Sequence, residues 1–251
     1  MPPAFSRRRR LILAVGLLSA GGFAAPAQAA EKHILVFGDS ISWGWIPTDK
    51  GFPTSRYPGT ERWPTIMAAA LGKNYEISVN AVSGRTTDVS YPDSVDTLAG
   101  ADFNGLKALP AAIAAEMPID LVIVFLGTND LRADVGRTPE AIAAGAMRVA
   151  ELAAKSTGVL TIYAPPKVLV VAPPPVGDVS RTPIAQFMAG APEKSRGLAA
   201  AFTAAASQAE VPLFDAGKAT TTDGIDGIHF TAEDNRRLGA ALAARVRELL
   251  P

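Results

Sequence analysis

At 251 residues, 48% hydrophobic and 19% charged, the chain suits one domain with a sizeable core and is too apolar for a disordered tail. It has no cysteine, which excludes disulfides, a thiolate nucleophile and cysteine-ligated metal centres, and its two histidines make a histidine-rich metal site an unpromising reading. The formal charge of zero conceals an asymmetry: residues 1–29 hold four arginines and no acid, and the remainder carries 20 basic against 24 acidic residues, a net −4 with no electrostatic footprint for nucleic acid.

In chain order, the first pattern is that of an export leader. Arg7 to Arg10 form a basic start, Leu11 to Ala25 are apolar, and Ala27-Gln28-Ala29 offers small residues for cleavage. This divides the chain into a signal peptide over 1–29 and a domain over 30–251, and it implies a periplasmic or secreted protein with no stable membrane anchor after cleavage. The apolar run is short and rich in Gly and Ala for a membrane span. Arg8-Arg9 before Leu11-Ile12 leaves a twin-arginine route open beside the general one. A lipoprotein is excluded, because no cysteine is present to carry the lipid.

From Lys32 onward, short β-rich runs alternate with longer helical stretches. Strands are predicted over Ile34–Phe37, Tyr75–Val79, Leu121–Leu126, Val168–Val171 and Val211–Phe214. Three of them are nearly continuous Val, Ile, Leu and Phe, as strands buried on both faces should be. Helices are predicted over Arg62–Leu71, Leu106–Glu116, Pro139–Lys155, Glu193–Gln208 and Ala232–Leu249. Thr138-Pro139-Glu140 reads as a capped start, and Thr231 to Asp234 as a capping box with Asp in the acidic position. The alternation argues a parallel, three-layer α/β domain. Three loops are long for such a domain, Trp45–Glu61, Asn80–Asn104 and Pro173–Pro192, and long loops often carry a site or a subunit contact.

Gly38-Asp39-Ser40-Ile41-Ser42 follows the first strand directly, which places a hydroxyl at the carboxyl edge where open α/β sheets build their sites. The last glycine of a Gly-x-Ser-x-Gly elbow is absent, Ser42 standing in its place, and this argues against the α/β-hydrolase fold. A serine needs a base. His33 begins the first strand, at the end opposite Ser40, which leaves His229 as the candidate. Asp226, three residues before it, can orient the ring, with Asp215 and Asp223 as rivals. Gly84, in the loop after the second strand, lets backbone approach a substrate. Asn129, after the third strand, has an amide to donate to an oxyanion. Trp43 and Trp45 are candidates for the wall of a small apolar pocket.

Gly-Asp-Ser40-Ile-Ser, the Ser-Gly84 loop, Gly-Thr-Asn129-Asp and Asp226-x-x-His229 together resemble the sequence blocks of the SGNH, or GDSL-type, hydrolases, in the family's order and across the chain from about Lys32 onward. The resemblance implies a flavodoxin-like α/β/α sandwich with a five-stranded parallel sheet, no cofactor and no metal. It implies Ser40 as nucleophile, His229 as base and Asp226 as its partner, with an oxyanion hole from the Ser40 N–H, the Gly84 N–H and the Asn129 side chain. Ser42-Trp43-Gly44-Trp45, the run Pro165 to Pro175 and the run Thr222 to Phe230 are further similar to the arylesterase and acyltransferase branch. That branch acts on small esters, passes acyl groups to alcohols or peroxide, and forms oligomers. The expectation is a serine esterase for small aryl or short-acyl esters, with acyl transfer to alcohols, a small-molecule ester as partner and a homo-oligomeric state. A cell-envelope glycan O-acetylesterase, a lysophospholipase or thioesterase, and a non-catalytic binding protein using the same sheet edge stay open as alternatives.

Overall fold

A computed structural model describes residues 31–158, 163–222 and 225–251. The leader over 1–29 and the rival carboxylate Asp223 lie outside the described residues. Five strands, β1 (Lys32–Gly38), β2 (Tyr75–Ala81), β3 (Leu121–Phe125), β4 (Lys167–Ala172) and β5 (Leu213–Asp215), form one parallel sheet in the order β2-β1-β3-β4-β5. β1, β3 and β4 are central and almost wholly buried, which is why their sequences are unbroken apolar runs. β2 lies at an edge and mixes partly exposed residues with apolar ones.

Side-chain alternation along the central strands feeds two cores. Leu35, Phe37, Val122, Val124 and Val170 face α3 (Gly105–Glu116), α4 (Pro139–Lys155) and α6 (Leu198–Ala209). Ile34, Val36, Leu121, Ile123, Leu169 and Val171 face α2 (Trp63–Leu71) and α7 (Ala232–Leu249). The result is a three-layer α/β/α sandwich. Thr138 caps α4 through Ala141 N–H, and Thr231 and Asp234 close the capping box of α7.

Two helices depart from the sequence expectation. The stretch predicted over Glu193–Gln208 is broken into α5 (Ala191–Ser195) and α6, separated by Arg196 and Gly197. Gly197 abuts Pro139 at the start of α4, where an added Cβ would stand 3.0 Å from the ring. Arg196 and Gly197 keep right-handed helical backbone but bond three residues back, to Glu193 O and Lys194 O, so the break is a tightened turn at which Gly197 packs on a segment far away in sequence. A further short helix, α1 (Ser40–Trp43), follows β1 at once and is capped by Asp39. The strand predicted from Val211 starts only at Leu213.

The order of the sheet reverses at β1, which sits between β2 and β3, the strands that follow it in sequence. The loops leaving β1 and its two neighbours open apart there, and the crevice between them is the usual ligand position in such a sheet.

Candidate active site

Four segments converge at that crevice. The turn after β1 brings Ser40, the segment before α7 brings Asp226 and His229, and the loops after β2 and β3 bring Gly84 and Asn129. The tight passage from β1 into α1 depends on Gly38, because a Cβ there would stand 2.3 Å from the Ser42 hydroxyl oxygen. Asp39 then caps α1 with its Oδ1 on the Ile41 N–H at 3.0 Å and turns Ser40 toward the cavity.

His229 Nε2 lies 3.1 Å from Ser40 Oγ, and its Nδ1 lies 2.7 Å from Asp226 Oδ2. The other oxygen of Asp226 accepts the backbone N–H groups of Ile228 and His229 at 2.9 and 2.8 Å. Burial works to raise the Asp226 carboxyl, but these hydrogen bonds and the charge of His229 outweigh it and hold the group below the usual carboxylate range. An ionised Asp226 can only accept, so Nδ1 carries a proton, and the neutral form of the ring leaves Nε2 as acceptor to the serine hydroxyl. Carboxylate, imidazole and hydroxyl stand in the order that lets the ring take up the serine proton while the carboxylate faces the charge so formed. Asp226 is fully buried, and Ser40 and His229 are each 7% exposed, consistent with access through one opening.

The rivals fall elsewhere. His33, at the other end of β1, bonds Pro118 O and Ser78 Oγ, each at 2.9 Å. Asp215 holds the Gly217 N–H at 3.0 Å in the turn after β5.

Gly84 adopts a φ of +86°, and a Cβ would press on Phe103 at 3.1 Å. Its carbonyl accepts the Tyr91 hydroxyl at 2.6 Å, which fixes the peptide that follows. Burial pushes the Tyr91 phenol up, so it stays a neutral donor. The Asn129 amide meets two acceptors, Asp39 Oδ2 at 3.2 Å and Arg85 O at 3.1 Å, while its residue lines the cavity. Asp130, next to it, is fully buried and takes both the N–H and the hydroxyl of Thr87, at 2.9 and 2.6 Å. Arg137 bonds Asp130 and Asp88 together, at 3.0 and 2.5 Å. This group locks the loop after β2 to the turn after β3, and so sets Gly84 against Asn129.

The cavity holds about 450 Å³ and is lined mostly by apolar and aromatic side chains, among them Phe52, Phe103, Ile184, Phe187 and Ile228. Trp45 lines it, with its Nε1 donating to Ser83 Oγ at 2.6 Å. Trp43 is not on the cavity wall. It stands behind Trp45 with ring centroids 4.5 Å apart and carries the Arg56 guanidinium 4.1 Å over its face. Sequence adjacency cannot separate two tryptophans at the end of a one-turn helix; only the packing of the loop that returns to Arg56 does. Asp39, Tyr91 and the Thr87–Asp130–Arg137 group were missed by sequence reasoning. The one available signal was that Asp39 lies inside the Gly-Asp-Ser motif. Among the described residues, no cluster of histidine and acidic side chains could hold a metal ion.

Residues 36–237 match the model of the GDSL-like lipase/acylhydrolase family. No curated protein sequence matches the chain significantly. Among solved structures, the native aryl esterase of M. smegmatis is 44% identical, with 87% of this chain and 100% of that one covered and a TM-score of 0.81. A carbohydrate acetylesterase from Sinorhizobium meliloti is 42% identical over 88% of this chain and 100% of its own, with a TM-score of 0.80. Another carbohydrate acetylesterase family member from Sinorhizobium meliloti is 30% identical, covers 87% and 99%, and gives a TM-score of 0.79.

Proposed function

Since the chain belongs to the GDSL-like lipase/acylhydrolase family and is a carboxylic ester hydrolase of that group, we propose that it is a serine esterase for small aryl or short-acyl esters, with Ser40 as nucleophile. The observation that carries this reading is the unbroken run Asp226–His229–Ser40, with contacts of 2.7 and 3.1 Å at the floor of a largely apolar cavity. His229 takes the Ser40 proton as Oγ attacks the ester carbonyl. The oxyanion is met by the Ser40 and Gly84 N–H groups and the Asn129 amide, which shares a proton with it. The alcohol leaves with the proton from His229, and water, activated by the same ring, releases the acid. An alcohol in place of water gives acyl transfer, which the apolar lining supports by disfavouring water relative to an acceptor with a hydrophobic body.

The test is hydrolysis of phenyl acetate by the purified protein and its Ser40→Ala variant. Loss of the nucleophile should lower kcat by several orders of magnitude with the fold intact. A folded variant retaining a tenth of the activity would remove Ser40 from the reaction.

A second reading, hydrolysis of O-acetyl groups on carbohydrate, is favoured by the 42% identity to the Sinorhizobium meliloti enzyme. Acetylated sugars assayed beside phenyl acetate, butyrate and octanoate esters decide between them by kcat/KM. Export directed by residues 1–29 belongs to the same proposal and is tested by fractionating cells that express the full chain.

A further inference from the structure

Asp39 lies between the nucleophile and the amide donor, and ester hydrolysis as described above gives it no task. It is 2% exposed. One oxygen accepts the Ile41 N–H at 3.0 Å and so caps the helix that begins at Ser40. The other accepts Asn129 Nδ2 at 3.2 Å. Nδ2 also stands 3.1 Å from Arg85 O, so the two acceptors together fix where Asn129 stands, and the amide reaches the oxyanion by sharing one of these protons. The Arg85 guanidinium itself is engaged with Gly38 O, Asn80 O and Asn80 Oδ1, at 3.1, 2.8 and 2.9 Å, and is not spent on Asp39. A donor on each oxygen suits an ionised carboxylate, which is an acceptor at both; a protonated acid has to weaken one of the two bonds.

We propose that Asp39 is a positioning residue for ester hydrolysis, a single carboxylate that ties the Ser40 helix to the Asn129 amide and, in its ionised form, holds the oxyanion donor in register with the nucleophile. This rests on the serine-esterase reading. Burial pushes the Asp39 carboxyl up to about 7, against the hydrogen bond from Ile41 and the charges of His229 and Arg85, with Asp130 adding to the rise. Among the described residues, the charged groups acting on it are Arg85 from the loop after β2, Asp130 from the turn after β3, and His229 from the segment before α7. Ionisation of Asp39 thus falls in the range where an esterase works. Catalysis then needs two groups unprotonated, the base His229 and Asp39, and both contribute to the acid limb.

The experiment follows phenyl acetate hydrolysis by the wild type and the Asp39→Asn variant from about pH 5 to about pH 9. An asparagine can accept only one of the two donors. The variant should lose roughly 10- to 100-fold in kcat with KM within about twofold, as expected when a transition-state contact is misplaced. The acid limb of log kcat/KM should approach a slope of about two in the wild type and about one in the variant. A wild-type limb of slope one, a variant that keeps the steeper limb, or a loss confined to KM overturns the proposal and leaves the esterase reading standing. If the variant does not fold, the wild-type slope decides alone. Hydrolysis retained by Ser40→Ala would overturn the esterase reading and this inference with it.

Discussion

Asp226 and Asp39 are both buried aspartates that feel the charge of His229, and their surroundings push them in opposite directions. Asp226 receives three hydrogen bonds from the segment of the base and stays acidic. Among the described residues Asp39 receives two, neither from a charged donor, and burial dominates. Replacing Asp226 by Asn removes the acceptor that fixes the ring tautomer, and kcat should fall by about 10³- to 10⁴-fold with little change in thermal stability. Steady-state kinetics beside a melting curve checks both parts. The Asp39 carboxyl, raised to about 7 in the folded chain, binds its proton more tightly there than in the unfolded chain, where it titrates near 3.9. Its influence is therefore least adverse below pH 4, grows as pH rises toward 7, and is constant above. A gap of that size corresponds to a cost of order 4 kcal/mol at alkaline pH. Asp39→Asn has no such charge to bury. Its melting temperature relative to the wild type should therefore be more favourable at about pH 8 than at about pH 5. A difference independent of pH, read by thermal denaturation, would contradict this.

The elements that present these residues are short and depend on one another. α1 has four residues and could not persist alone, so its orientation comes from Gly38, Asp39 and the sheet beneath. α7 starts three residues after His229, and its first turn is held from several sides. Thr231 and Asp234 cap each other, Thr220 donates to Asp234 at 2.8 Å, and Asn235 receives the Trp63 N–H at 3.0 Å. Thr231→Ala should cost about 1 kcal/mol and loosen the base, seen as a lower melting temperature with a drop in kcat larger than any change in KM. The loops after β2 and β3 are joined by Arg137, which pairs with both Asp88 and Asp130 while donating to Thr87 Oγ1 at 3.0 Å. Arg137→Met leaves the buried Asp130 without its cation, while Asp88 keeps Arg148, and should cost about 3 kcal/mol. Arg137→Lys should restore little of it, because an ammonium cannot span the acceptors that the planar guanidinium reaches. Denaturant titration of the pair of variants measures the difference.

On the scale of the whole molecule, the apolar character of the cavity continues onto the surface around its mouth. Phe52, Val95 and Phe187 line the cavity and are 49%, 51% and 37% exposed. Large exposed apolar side chains gathered at one opening favour a contact with another surface, which supports the proposed homo-oligomer, with copies meeting at this face. Light scattering should give a mass above the monomer at micromolar concentration, and Phe52→Glu with Phe187→Glu should shift it toward the monomer. A monomer mass in the wild type would end the proposal. The same apolar surroundings bear on acyl transfer. Incubation of phenyl acetate with a modest concentration of benzyl alcohol should give more benzyl ester than the ratio of alcohol to water alone predicts. A preference of about 1.4 kcal/mol corresponds to a tenfold excess.

Features that depend on near neighbours or on periodicity were legible in the order of residues alone. Unbroken apolar runs marked the three buried strands, Thr138 and Thr231 marked helix starts, and Asp226 three positions from His229 marked a pair within one turn of chain. The order of motifs after successive parallel strands made their convergence legible, although Ser40 and His229 stand 189 positions apart. Tertiary packing had to show that Trp45 lines the cavity while Trp43 lies behind it, that Gly197 packs on Pro139, and that Arg137 clamps two loops. It alone decided that Asp39 would be buried with two hydrogen-bond donors and without a cation of its own. The physical reason is common to all of these. Burial, crowding and the local dielectric at a residue are set by segments remote in sequence, and no pattern within a few residues of Asp39 encodes which groups will stand around it.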